Sequence, residues 1–241
     1  MIWRFRLIAA GLLLTTTQAL GSVAQVALLQ GSAHRSPIGG SPVALRAGGA
    51  VELGDTLEVS SPGNLKLLLS DSSVLMLAGG SKLYIDQAEF ENQERKSFSA
   101  KLLIGSLWAK VTKVLAGSNA KFEVTTDRAV AGVRGTIFRV DALKSIKGVK
   151  PKAGQTIVGV TEGKVGVEAQ IKKPRPKGGP SAEPRVEVAG PKEVSKEEWE
   201  KKFVELQANQ QVTVGEELWT EAVLSPSAKK DGFAKFIGAN Q

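Results

Sequence analysis

Apolar and polar residues alternate with a period of two through much of the chain, and turn formers break that alternation every ten residues or so. The clearest run is 122–140, F-E-V-T-T-D-R-A-V-A-G-V-R-G-T-I-F-R-V. Phe122 and Val124 alternate there with Glu123 and Thr125, and Phe138 and Val140 with Ile137 and Arg139. Such alternation suits strands that bury one face. Gly132 and Gly135 bracket Val133 and Arg134, and two glycines this close to a strand mark a bend or a close backbone approach. The run is expected to be a strand–bend–strand unit at the centre of a β domain.

The same pattern recurs on both sides. Short strands are expected at 26–29, 43–45 and 50–59, with turns at Gly48-Gly49 and Gly54-Asp55. After Pro62-Gly63 come N-L-K-L-L-L, a tight Asp71-Ser72-Ser73 turn, V-L-M-L, Gly79-Gly80 and K-L-Y-I. Residues 86–97 read as a polar loop or solvated ribbon. In 101–114, Leu107, Ala109 and Val111 share one face and Trp108, Lys110 and Thr112 the other, with Gly105 as a bend. Residues 155–169 read as a hairpin turning at Glu162-Gly163.

The period changes near 195. Ser195 and Glu198 form a capping box, Val194 and Trp199 a hydrophobic staple, and Trp199, Phe203 and Leu206 recur at helical spacing. One amphipathic helix is therefore expected near 196–208. Residues 216–224 fit helix or strand equally. The basic C-terminal tail, 226–241, carries Phe233, Phe236 and Ile237 and is either a short terminal helix or a loose end. The Pro- and Gly-rich stretch 172–185 is a loop, because proline lacks the ladder donor.

Composition narrows the chemistry. The 241 residues include no Cys and a single His, His34, so thiolate nucleophiles, disulfides, His-dependent triads and multi-His metal sites are excluded within one chain. Lys and Arg number 32 against 24 Asp and Glu, which favours acidic partners. Aromatics are only 5%, too few for base-stacking platforms, so no nucleic-acid partner is expected. The carboxylates Asp71, Asp86, Asp127 and Asp141 fall at turns and strand ends, where Asp is ordinarily a turn former. The acidic stretch 86–94 lacks the ligand density of a calcium loop. Catalysis, cofactors and metals are not expected.

The N-terminus bears on compartment. Arg4 and Arg6 precede the short apolar run 7–14, and small-x-small cleavage patterns end at Ala24 and, as a second candidate, Ala19. Residues 1–24 are expected to be a signal peptide; the apolar run falls short of the ~20 residues of a bilayer span. The product would be periplasmic or secreted to the cell surface. Membrane attachment arises only if the signal segment stays uncleaved.

Several blocks resemble the FecR-type domain, the extracytoplasmic module of iron-dicitrate-type sigma regulators. These are V-E-L-G-D-T-L-E-V, N-L-K-L-L-L-S-D-S-S-V-L-M-L, L-L-I-G-S-L-W-A-K-V, the 122–140 run and I-V-G-V-T-E-G-K-V-G-V, with Ser72 where the family usually has Gly. The resemblance covers a core of 45–170 within a domain of 25–225, and its most specific part is Val133, Arg134, Gly135 and Thr136. It implies a mainly β, solenoid-like or stacked-sheet domain of short strands used for envelope sensing or protein contact, not catalysis. Because the domain follows a signal peptide directly, no contact with a cytoplasmic sigma factor is expected. Arg134 is read as a structural pin of the bend, its donors on carbonyls or on Asp127 or Asp141.

Two functions remain open: a protein-contact or signalling module of the envelope, and a glycan-, peptidoglycan- or polyanion-binding protein. The second would use Lys144, Lys147, Lys150, Lys152, Lys172, Lys173, Arg175 and Lys177, with Trp108 or Trp219 exposed for sugar stacking.

Overall fold

The structure, a computed structural model, describes residues 22–112, 120–144, 154–170, 203–215, 219–223 and 231–241. The loop 172–185, the first part of the expected helix at 196–202 and the proposed signal segment up to residue 21 lie outside the described residues.

Among the described residues seventeen strands, β1 (Ala24–Gln30) through β17 (Trp219–Val223), build two stacked sheets, with one helix, α1 (Gly232–Asn240), at the C-terminus. Sheet I runs in the spatial order β4 (Ala50–Val51), β1, β6 (Asn64–Leu69), β7 (Val74–Ala78), β9 (Glu94–Lys110), β12 (Ile137–Leu143), β13 (Gln155–Glu162), β16 (Gln210–Val214) and β17. Sheet II runs β3 (Val43–Ala44), β2 (Ala33–Ser36), β5 (Thr56–Val59), β8 (Lys82–Glu91), β9, β10 (Lys121–Thr125), β11 (Ala129–Val133), β14 (Val165–Ala169) and β15 (Phe203–Leu206). The parallel pairing in the two sheets is β9 with β10; the others are antiparallel. The fold is mainly β, as the alternation predicts.

The chain passes repeatedly from one sheet to the other, and the core is the layer between them. Leu57, Leu83, Ala100, Leu102, Phe122 and Val167 from sheet II meet Leu65, Leu75, Leu107, Phe138 and Val158 from sheet I in one buried cluster. Phe122 stacks on Phe98 at 4.8 Å between centroids and meets Phe138 edge-on at 6.3 Å, which joins the layers through aromatic geometry. The expected faces hold: Leu107, Ala109 and Val111 point into this core, and Trp108 points out of it.

Strand β9 belongs to both sheets. Its first part pairs with β8 and β10, and from Gly105 onward it pairs with β7 and β12. Gly105 sits at φ +96°, and a Cβ there would lie 2.3 Å from Ser81 Oγ and 2.5 Å from Ser81 Cα. Glycine is required at this switch on both counts.

Two expectations change and two open ones are resolved. Phe203 to Leu206 form a strand against β14, not a helix. Val204 and Leu206 alternate inward with Glu205 between them, and the pairing with β14 overrides the helical spacing of Phe203 and Leu206. Residues 219–223 are strand β17, which resolves the ambiguous 216–224 stretch. The turn at Glu162-Gly163 is a corner rather than a hairpin, because β13 lies in sheet I and β14 in sheet II. The polar stretch 86–97 is the ribbon end of the β8–β9 hairpin, turning at Asn92 and Gln93 with φ of 51° and 65°.

Candidate functional site

The signature Val133-Arg134-Gly135-Thr136 is the corner by which β11 of sheet II becomes β12 of sheet I. Val133 and Thr136 are buried and Gly135 takes φ +61°. Thr136 Oγ1 donates to Lys164 O at 2.9 Å, and Val111 N–H donates to Thr136 O at 2.9 Å. The signature corner thus rests on the Gly163 corner. Arg134 itself is exposed.

The buried arginine is one the sequence reading passed over. Arg95 is 2% exposed; it pairs with Asp71, and its Nη2 donates to Thr112 O at 3.2 Å. Its guanidinium also lies 5.2 Å from the Phe122 ring centroid. Among the described residues its Nε has no hydrogen-bond partner. Burial lowers its pKa, and Asp71 offsets this only in part. Asp71, expected as a turn former, is one: it accepts from Ser73 N–H at 3.0 Å and from Ser73 Oγ at 2.8 Å.

The other unusual feature lies on the outer face of sheet I. The strand registers put Leu28, Lys66, Met76, Trp108 and Arg139 in one cross-strand row over β1, β6, β7, β9 and β12. Helix α1 lies on this row, and its Phe233, Phe236 and Ile237 form a second apolar cluster with Met76 and Trp108. Trp108 is 4% exposed beneath it.

Each end of the helix is tied to a cation of the row. Asp231 caps α1, accepting from Ala234 N–H at 2.7 Å, and its other oxygen accepts from Arg139 Nη2 at 3.0 Å. Arg139 is held in turn by buried Asp141, through Nε at 3.0 Å, and its guanidinium lies 5.1 Å from the Phe233 ring centroid. Burial pulls the Arg139 pKa down, but Asp141 and Asp231 outweigh it and the net shift is upward. At the other end Lys66 Nζ donates to the Asn240 carbonyl. Arg139, Asp231, Lys66 and Met76 were not singled out in the sequence. The available signal was Asp231 ahead of G-F-A-K-F-I, a capping residue before apolar positions at helical spacing.

Of the eight cations proposed for polyanions, Lys144 is described, and it is exposed at the end of β12. Lys147, Lys150, Lys152, Lys172, Lys173, Arg175 and Lys177 lie outside the described residues, so a shared basic face is not on view. Trp108, one of the two rings suggested for sugar stacking, is covered. Among the described residues no group of three or more His, Cys, Asp or Glu side chains could hold a metal, and the helix is not long and apolar enough to cross a membrane.

Residues 55–166 match the family model described as FecR protein. That segment is similar to the FecR domain. The match begins at Asp55, just before β5, and ends inside β14, so it includes Gly105, the signature corner and the Gly163 corner. Two crystal structures of one proposed anti-sigma factor from Parabacteroides distasonis ATCC 8503, at 1.65 and 2.50 Å resolution, are similar to the chain. Each is 16% identical with a TM-score of 0.45, over 70% of this chain and 59% of that protein. The chain therefore spans less than two thirds of that protein's length. No curated protein matches the sequence. The matched segment ends before β15, β16, β17 and α1, so the helix on the outer face lies beyond it.

Proposed function

We propose that this protein is an exported, non-enzymatic envelope module whose FecR domain acts in signalling through contact with another protein. The observation that carries this reading is the FecR match over 55–166, a family of regulators. The covered Trp108 supports it, because the ring that a polysaccharide would stack on is occupied by the chain's own helix. Export rests on the basic, apolar and small-residue succession of the first 24 residues. Val23 and Ala24 are buried, and Val23 N–H donates to Val51 O at 2.9 Å, so cleavage after Ala24 would remove two core residues. Cleavage after Ala19 leaves β1 whole and is the site proposed.

Affinity capture with the tagged full chain tests the function. It is run against envelope extract, purified peptidoglycan and envelope polysaccharide, each at low and high salt. A defined envelope protein retained at high salt supports the reading. Salt-sensitive retention on polysaccharide with no protein partner replaces it with the polyanion reading. Cell fractionation with N-terminal sequencing tests export, with Leu20 expected as the first residue of the mature chain.

A further inference from the structure

We infer that the outer face of sheet I is a receptor site for an amphipathic helix of a partner protein, closed in cis by the chain's own helix α1. The inference deepens the protein-contact reading and rests on it, naming the surface and the chemistry of what binds there.

The dimensions of the site match a short helix laid across strands. Arg139 on β12 and Lys66 on β6 are three strand steps apart, about 14 Å at the usual strand spacing. A nine-residue helix such as α1 is about 13 Å long. Its acidic cap therefore falls on Arg139 and its last carbonyls on Lys66, while Met76 and Trp108 between them take its apolar side chains. Charge complements the helix at both ends: a cation meets the capping carboxylate, and a second cation meets the negative end of the dipole.

The site exists before the helix arrives. Met76 and Trp108 sit on central strands of sheet I, each paired on both sides. Arg139 is held by Asp141 on its own strand, and Asp141 also accepts from Ser106 Oγ on β9. The sheet thus presents a preformed cation–apolar–cation row.

The occupant is the weaker member. A nine-residue helix is below the length at which helices persist in water, about 12–15 residues, so α1 folds because it is docked. Two of its residues are glycines, Gly232 and Gly238, which lower its intrinsic helicity further. It attaches through three apolar side chains, one of which (Phe233) also lies under the Arg139 guanidinium, the Asp231–Arg139 pair and the Lys66 contact. Elements held by so few contacts open locally without global unfolding. A partner helix with an acidic cap and apolar residues two, five and six positions after it reproduces every contact of α1. A partner helix of greater length would be better formed before binding and would displace it.

The probe is a fluorescent peptide of residues 229–241, titrated by polarisation into the full chain and into full-chain F233A/F236A. The double variant is expected to bind at least tenfold tighter than the wild type, because its own helix no longer competes. A second peptide keeps only Asp231, Phe233, Phe236 and Ile237 and carries alanine or lysine elsewhere. It should bind comparably, and a peptide with both phenylalanines replaced by alanine should not. Full-chain D231A, a milder change, should also bind the first peptide severalfold tighter than the wild type. It keeps the test decisive if the double variant misfolds by circular dichroism.

Equal binding by the wild type and the folded variants, or no binding by any of them, overturns the inference. So does a dimer that exchanges α1 between two copies, seen by light scattering, since the occupant is then a second copy. These failures leave the envelope capture result standing, and that result alone decides the protein-contact reading.

Discussion

Arg139 on β12 and Asp231, 92 residues later, are joined by a 3.0 Å hydrogen bond. That contact ties the C-terminal helix to the sheet that carries half of the FecR signature corner. Asp231→Ala removes this pair and the helix cap together. The expected cost is about 1 kcal/mol of local stability, read as roughly fivefold faster hydrogen exchange at Phe236 and Ile237. The midpoint of global unfolding should move little, because α1 lies outside the inter-sheet core. Helix exchange unchanged in the variant would show that the cap and the ion pair do not hold α1.

Arg95 and Asp71 form a buried pair at 0% and 5% side-chain exposure. Removing either partner alone leaves the other without its counter-charge, at an expected cost of about 3–5 kcal/mol. Urea unfolding of Arg95→Met, of Asp71→Ala and of the double variant checks this. The double variant should lose much less than the sum of the singles, since it leaves neither charge buried without its partner. Strict additivity would mean that the two groups are energetically independent.

Gly105→Ala places a methyl group 2.5 Å from the Ser81 backbone at a φ of +96°. The Ser81 turn cannot yield from β9, because Ser81 Oγ accepts from Ser106 N–H at 3.0 Å and donates to Ser106 O at 3.1 Å. The expected destabilisation exceeds about 2 kcal/mol. A melting temperature within a degree of wild type would show that β9 can switch sheets without glycine.

The signature corner separates two residues that look equivalent in the sequence. Arg134 is exposed, so Arg134→Ala should change stability by no more than about 0.5 kcal/mol. Thr136 is buried, and Thr136→Val removes the hydrogen bond to Lys164 O, at about 1 kcal/mol or more. Chemical denaturation of the two variants checks the order. The opposite order would mark Arg134 as the pin of the bend.

Glu205 on β15 accepts from Lys164 Nζ at 2.9 Å and from Gln207 Nε2 at 2.7 Å, and these donors lower its pKa. A carboxyl depressed in the folded state contributes stability that is present above its unfolded pKa and lost as pH falls through the folded value. The contribution is small, because both side chains are exposed. In an NMR titration Glu205 should have its midpoint below the usual glutamate range, and Lys164→Met should return it toward that range.

Much of the sheet architecture is written in the local pattern. The alternation at Phe122, Val124, Phe138 and Val140 places each of them in the core, because a strand with one buried face must repeat every two residues. The split of Leu107, Ala109 and Val111 from Trp108 follows for the same reason. Helical spacing misled at Phe203 and Leu206, since three residues apart is also compatible with a strand whose inward positions are Val204 and Leu206. Arg95 was hidden because nothing local marks a charged residue on a ribbon as buried. Its burial comes from Asp71, Thr112 and Phe122, which distant segments bring to it.

The sequence by itself determined most of the strands, most of the turn positions and the similarity to the FecR domain, since each depends on residues close together in the chain. Which turns are hairpins and which are corners between sheets was decided only by tertiary pairing, as at Gly163 and at Arg134 to Thr136. The same holds for the outer-face row. Leu28, Lys66, Met76, Trp108 and Arg139 come from five strands, and only their register aligns them under the helix that covers them.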